Sequence, residues 1–524
     1  MRRTLAALTT SAVLIPLAIT AMPGAASAAT NALTVHVYGR DGAKVSTSVH
    51  ATNLNTREAY TLTSNRARKL PRGTYVVAAE IVGSDDTTVL GGRTVKVSGS
   101  SSTVIDGRKG KPFQVSLNPP TAETLGALTA RICAGSDYLV ESHAILDKLY
   151  VIPNGSENFR LAYAADWMDT HQSGTSTEVR GRYAALGSMI GLPNNFRRTV
   201  QRSSLVPVTL HARSQARGDQ QHLGVALHSR AGGCAGGLSV TGHGGYGGFT
   251  MPLHLSPGKY RFVAETPLHI SVRDRTFASG GRYSQNFFNA GRGPGYDLPY
   301  TYGRSLYFNP HGMFTDTGST GVVETFTDGY SSTEGVKTST TLTKGGRTLK
   351  KETKRFTYAH EARFNYLMTS AGWYGLTVSA KREHPTMAMP SGLLSYRTTA
   401  RFRFHADPRK QQVAPVYLTR FTPAGLDLQN AAKPGSTTNV SLTLDRKKQG
   451  GVKLGTAPKV KTMTAWASYD NGATWKKTTL KKSGSKWVAT VKNPKSGYVT
   501  LRAKVTDTKG NSSDITIYRA YKIA

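Results

Sequence analysis

The sequence predicts an all-β chain folded as tandem β-sandwiches, and three features of it carry that reading. Apolar residues alternate with polar ones in short runs. Leu33, Val35 and Val37 are separated by Thr34 and His36; Tyr75, Val77, Ala79 and Ile81 share a face, as do Tyr374, Leu376, Val378 and Ala380, and Val499, Leu501, Ala503 and Val505. A period of two is that of a strand with one face on a core and the other in water. A turn signature also recurs: Pro71-Arg72-Gly73-Thr74-Tyr75, Pro257-Gly258-Lys259-Tyr260, Ala371-Gly372-Trp373-Tyr374 and Pro494-Lys495-Ser496-Gly497-Tyr498. Pro and Gly set the turn, and the Tyr opening the strand packs its ring with its hydroxyl near solvent. One such strand per sandwich gives four sandwiches. Finally, 524 residues, 38% of them hydrophobic and only 19% charged, leave room for several cores and exclude one small domain or wholesale disorder.

Taken in chain order, residues 1–28 have the form of a secretory signal. Arg2 and Arg3 precede an apolar run from Leu5 to Ala21, and Ala26-Ser27-Ala28 is a small-residue cleavage site, so the mature chain is expected to begin at Ala29. Thr9, Thr10, Ser11 and Pro16 interrupt the run, against a membrane anchor. No later stretch approaches the roughly 20 apolar residues of a spanning helix. The first sandwich is expected over 29–118, closed by the stiff Asn118-Pro119-Pro120. The second covers 119–290, with weak helical spacing around 122–132 and 141–149 and a Gly-rich loop from Gly232 to Gly248. The third, 291–410, opens on the Gly/Pro-rich linker Gly291–Pro299, and the fourth, 411–524, follows a polar joint from Ala406 to Pro415.

Two cysteines rule out a disulfide-dense scaffold or a multi-cysteine zinc module. In an exported chain Cys133 and Cys234 are expected to pair, the alternative being a reactive thiol.

Several stretches resemble a known family. They are Leu70-Pro71-Arg72-Gly73-Thr74-Tyr75 with Ser102 to Lys109, the run Gly191-Leu192-Pro193-Asn194-Asn195-Phe196-Arg197-Arg198-Thr199-Val200, and the stretch Gly281 to Pro294. In the last unit they are Ala467-Ser468-Tyr469-Asp470-Asn471-Gly472-Ala473-Thr474-Trp475-Lys476, Leu501 to Asp507 and Gly510-Asn511-Ser512. Through them residues 32–524 resemble the non-catalytic carboxy-terminal half of large secreted subtilisin-like peptidases (subtilases) of Gram-positive soil bacteria. The resemblance implies immunoglobulin/fibronectin-like and prealbumin-like sandwiches, with a secreted peptidase as a partner. In such enzymes a catalytic α/β domain precedes these modules. Here only the signal-like segment does, so no catalytic residue is carried over.

Two tripeptides and a dipeptide mimic subtilase catalytic motifs: Gly174-Thr175-Ser176, Asp316-Thr317-Gly318 and His311-Gly312. Their order is wrong for the family, and Ser176 is followed by Thr177-Glu178 where a helix should start. Asp316-Thr317-Gly318 also lacks the second copy that an aspartic peptidase needs, which favours a β-turn. His222, His228 and His243 around Cys234 match no compact zinc spacing. Ser468 to Trp475 fits the Asp-box hairpin of sialidase propellers, and a single copy reads as a turn centred on Asp470-Asn471-Gly472. No cofactor is expected.

Charge is the remaining signal. Lys plus Arg number 67 against 31 Asp plus Glu, a formal net +36. From Lys433 to Ala524 there are 16 Lys and 3 Arg against 4 Asp and no Glu, a net +15. Such a surface draws polyanions, and Lys476, Lys477, Lys481 and Lys482, flanking strands, are the expected contacts, with Trp466, Trp475 and Trp487 among them. No groove motif or nucleic-acid fold signature is present, so no sequence-specific nucleic acid is expected. The expectation is a secreted non-enzymatic binding or scaffold protein, acting at the cell envelope or in the medium on an anionic cell-wall polymer or polysaccharide. The alternative is an extracellular peptidase-related protein: a subtilase-like accessory region or split-enzyme partner with hydrolase activity.

Overall fold

The computed structural model describes residues 31–524 apart from 121–124, 174–175, 217–219, 228–232, 247, 267–268, 296, 317–335, 357–362, 384–388 and 448–450. The signal-like segment 1–28 therefore lies outside the described residues. Regular structure among the described residues consists of strands and short 3-10 turns, without an α-helix, so no helix there is long and apolar enough to cross a membrane. The chain is all-β and built of tandem sandwiches. The two weakly helical stretches are strands, Leu125–Ala134 and Asp137–Ile145, paired as a tight hairpin from Asp137↔Ala134 onward. Gly135 turns that hairpin at φ +65°, and Ile132, Tyr138 and Val140 are residue types that favour a pleated surface.

The first two units form a stack of four sheets. Strand Asn31–Tyr38, flanked by Ala67–Leu70 and Ser101–Asp106, makes the outer sheet, and Leu33, Val35 and Val37 pack from it onto Tyr75, Val77 and Ala79 of strand Gly73–Val82. That strand is buried on both faces, because Val76 and Ala78 enter a second core with Leu128, Ala130 and Ile132 of the next sheet. Strand Phe159–Ser173 repeats the arrangement. Leu161, Tyr163 and Ala165 face the second core, while Ala162 and Ala164 face a third with Tyr260, Phe262 and Ala264.

The expected break at Asn118 is bridged. Strand Lys111–Asn118 pairs with Leu149–Val151 and with Phe196–Gln201, so two strands of the second unit complete a sheet of the first. Units three and four are fused likewise. Strand Arg397–Ala406 pairs antiparallel with Ser512–Ile523, giving one nine-stranded sheet, and the cores on either side of the seam merge into one cluster. Part of the expected Gly-rich loop is also a strand, Ser239–Tyr246 against Gln220–Leu227, since backbone pairing requires no side chain.

Each of the four turn signatures opens a strand on its glycine: Gly73–Val82, Gly258–Thr266, Gly372–Arg382 and Gly497–Asp507. Tyr75, Tyr260 and Tyr374 are buried. Their hydroxyls, expected near solvent, instead donate to the carbonyls of Pro71 (2.8 Å), Ser256 (2.7 Å) and Ser370 (2.6 Å). Each lashes a turn to its strand and satisfies a polar atom that would otherwise be costly to bury. Tyr498 is only half-buried and sits under the Arg519 guanidinium, 4.9 Å from its ring centroid.

The Gly/Pro-rich stretch 291–299, expected as an exposed linker, is a buried strap, its described residues all enclosed. Its glycines are there for close approach. A Cβ at Gly293 would lie 2.6 Å from Ile517 Cδ1, and one at Gly291 2.7 Å from the Phe421 carbonyl oxygen. Within the strap, burial pushes the Asp297 carboxyl up to about 7, against the opposing pull of Lys447 and of the Gly312 backbone amide.

Two outcomes are expected. Limited proteolysis should cut at exposed Pro119–Pro120 and spare Pro294, and the two fragments from the first cut should co-elute under native conditions, separating only in denaturant. Because the folded Asp297 pKa is raised, the native state holds more protons than the unfolded chain between the ordinary carboxylate range and about 7, so ionisation there weakens the fold. In thermal melts, the advantage of Asp297→Asn over wild type should widen as pH rises across that window and level off above it.

Candidate functional site

The charged surface of the last unit is set by its topology. Strand Lys476–Lys477 ends the nine-stranded sheet beside Val460–Ser468, while Thr479–Ser483 ends the four-stranded sheet beside Lys486–Lys492. Thr478 carries the chain between them, anchored by its amide to the Ala465 carbonyl at 3.0 Å, so both edge strands flank one side of the sandwich. All four expected lysines are exposed there, and among the described residues none pairs with a carboxylate. Trp466, Trp475 and Trp487 are half-buried beneath cations. Arg502 lies 5.0 Å from Trp466 and 5.7 Å from Trp475, and the Lys482 ammonium 5.8 Å from Trp487.

Three acids of this unit, Asp470, Asp507 and Asp514, are held in turns or by an arginine. Asp470 accepts from the Thr474 hydroxyl, the Thr474 amide (2.9 Å) and the Ser468 hydroxyl (2.7 Å), which together hold its carboxyl well below the usual range. Asn471 at φ +59° and Gly472 at φ +92° complete the turn that the sequence predicts. Asp514 takes Arg502 at 2.6 Å. Asp507 accepts from the Lys509 and Asn511 amides, each at 2.8 Å, and from Asn511 Nδ2 at 2.7 Å. Asp514 is neutralised by Arg502 while Asp470 and Asp507 keep their charge, and the unit remains strongly cationic because lysines outnumber its acids.

A cleft of about 620 Å³ opens where the third and fourth units share their sheet. Trp373 and His405, cross-strand neighbours with rings 5.8 Å apart and edge-on, form one wall. Lys410, Lys459 and Lys509 stand around it, all exposed. Asp407 also lines it, but Arg409 holds that carboxylate through two contacts of 3.1 and 3.0 Å and lowers its pKa to about 2. Sequence reading did not find this site, because its lining comes from segments around 373, 405–415, 456–459 and 507–511 that only the shared sheet brings together.

The catalytic mimics are not assembled as a triad by what is described. Ser176 opens strand Ser176–Ile190 at the tip of a hairpin, opposite Ser173, and His311 lies in the 3-10 turn Pro310–Phe314. The β-turn expected at Asp316-Thr317-Gly318 runs into residues outside those described, and of it only Asp316 is placed. Asp316 is fully buried, its carboxylate accepting from Arg273 (2.6 Å), the Phe288 amide (2.8 Å) and Asn289 Nδ2 (3.1 Å). Thr317 and Gly318 lie outside the described residues, as does His228. His222 and His243 fall on adjacent strands, one register step apart. Cys133 and Cys234 are disulfide-bonded, tying the turn Gly233–Ala235 to strand Leu125–Ala134.

No protein-family model matches the chain, and no curated protein matches it. Among solved structures it is similar to the Bacillus anthracis TIE protein, at 10% identity and TM-score 0.13, with 74% of each chain covered. A streptococcal ancillary pilin matches 49% of this chain over 98% of its own, at 8% identity and TM-score 0.12. Trypsin-activated alpha-2-macroglobulin from Escherichia coli matches 93% of this chain at 9% identity and TM-score 0.16. The chain spans only 38% of that macroglobulin chain. Overlap at this level leaves function to be argued from the residues themselves.

Proposed function

We propose that the protein is a secreted, non-catalytic scaffold held on an anionic extracellular polymer, such as a phosphate-rich wall polymer, by the lysine-bearing edges of its last unit. The observation that carries this is the placement of Lys476, Lys477, Lys481 and Lys482, exposed on one side of a sandwich where, among the described residues, none of them pairs with a carboxylate. Lysines on edge strands also discourage strand-to-strand aggregation. That role would be met by one or two of them, whereas the net +15 of residues 433–524 extends over the unit. The signal-like segment and the Cys133–Cys234 disulfide support export, since disulfides persist in oxidising compartments.

Exposed charges are screened beyond about 8 Å at physiological ionic strength, so retention by this surface is salt-sensitive. The full chain should bind isolated Gram-positive walls at about 20 mM salt and elute by a few hundred millimolar, as non-specific polyanion contacts do. Replacing the four lysines by serine should weaken retention several-fold while leaving the melting temperature in place, because exposed substitutions seldom move stability by more than about 0.5 kcal/mol. Retention unchanged in that variant, or on walls stripped of their anionic polymer, would overturn the reading.

A further inference from the structure

We propose that the cleft at the seam of the third and fourth units binds an acidic sugar residue, its pyranose ring against the indole of Trp373 and its anionic group among Lys410, Lys459 and Lys509. The inference deepens the polyanion reading but stands on different residues from the edge lysines.

The volume, about 620 Å³, is that of a small-molecule site. Its walls are built rather than incidental. Arg403 stacks 4.0 Å from the Trp373 ring centroid and donates from Nη1 to the Gly510 carbonyl at 2.8 Å, fixing the indole to the turn opposite. Arg403 does not itself line the cleft, whereas Trp373 does. Asn511 Oδ1 accepts the His405 amide at 3.1 Å while its Nδ2 donates to Asp507, so the turn carrying Lys509 is fastened to the strand carrying His405. A platform held in this way loses little freedom when a ring settles on it.

The electrostatics select the sign of the ligand. Both lining carboxylates are engaged, Asp407 by Arg409 and Asp507 by the 509–511 turn. Among the described residues Lys410, Lys459 and Lys509 pair with no carboxylate, and against them stands one lining carboxylate, Asp507, that no cation neutralises, so the lining is net positive. A nucleic-acid strand calls for successive stacking aromatics along a groove, and the cleft offers one indole with His405 edge-on. One flat apolar face beside clustered cations fits a pyranose bearing a carboxylate or a phosphate.

The test is isothermal titration of the full chain in about 300 mM NaCl, where weak exposed contacts are screened. The probes are trigalacturonate, mannose 6-phosphate and neutral maltotriose. Binding of either acidic probe with weaker binding of maltotriose is expected, and which acidic probe binds identifies carboxylate or phosphate as the group taken. Trp373→Leu, which keeps apolar volume against Arg403 but removes the π face, should bind about tenfold more weakly. The exposed triple variant Lys410→Ser, Lys459→Ser, Lys509→Ser should lose the preference for acidic over neutral sugar. The Lys476, Lys477, Lys481 and Lys482 serine variant should titrate like wild type, which separates failure of this site from failure of the edge surface. Absence of acidic-probe binding, equal binding of maltotriose, or unchanged affinity in both cleft variants would overturn the proposal.

Discussion

A single enclosed carboxylate, that of Asp316, fastens the two halves of the chain. Burial raises the cost of its charge, and Arg273 and Arg292 outweigh that cost, holding the carboxyl below its ordinary range. Arg273 belongs to strand His269–Phe277 of the second unit, Phe288 and Asn289 lead into the strap, and Arg292 lies within it. Arg420, on strand Leu418–Pro423 of the fourth unit, donates to the Asp316 carbonyl. Removing one partner of such a buried cluster leaves charge without compensation and costs about 3–5 kcal/mol in comparable sites. The depressed pKa also gives the sign of the pH dependence: this stabilisation stands above the ordinary carboxylate range and is lost only as pH falls below it. Asn430, fully buried at φ +54°, supports the same junction. Its Nδ2 donates to the Ser214 and Phe288 carbonyls, and its Oδ1 accepts the Ala290 amide.

With the halves clamped, the fused sheets make a continuous scaffold. In a string of independent sandwiches each linker would let its neighbours swing. Here the strand pairings across Asn118 and across the third and fourth units leave few such hinges, because bending would break ladder bonds and open a core. The shared sheet has a direct functional consequence: it creates the Trp373 cleft, whose walls come from both of its units. It also argues that residues 411–524 excised alone would expose the edge of strand Ser512–Ile523, which is why binding belongs to the full chain.

Much of the architecture was legible in the sequence, for reasons that individual residues make plain. Alternation marked strands such as Asn31–Tyr38, and the four turn signatures located strands that begin on the glycine, one or two residues ahead of the expected Tyr, because such an opening is a local property of the chain. The lysines were readable as exposed for the same local reason. What was misread depends on neighbours far along the chain. Glycines 291, 293 and 295 have the composition of a linker, yet they are small because Phe421, Ile517 and Arg420 press against them. The near-continuous apolar run Tyr75-Val76-Val77-Ala78-Ala79 did carry a signal of two-sided burial, one that a strict search for alternation passes over. The burial of Asp316 was not legible because its arginine partners stand at 273, 292 and 420, beyond any local motif.

On the proposed reading, the edge lysines and the cleft differ in what they respond to. The edges attract any polyanion at a distance and yield to salt. The cleft engages one residue at contact range, where stacking on Trp373 is indifferent to ionic strength. The nine-stranded sheet carries the cleft, through the pairing of Arg397–Ala406 with Ser512–Ile523 at its centre, and half of the edge lysines, through strand Lys476–Lys477 at its margin. Their separation is therefore fixed by a ladder of hydrogen bonds and not by a linker. A polymer caught at one site is presented to the other at an effective concentration set by that fixed distance, so two modest contacts combine into firm retention without either being strong alone. Rigidity is what makes the combination work, and rigidity in this chain traces back to the buried polar cluster that joins its halves.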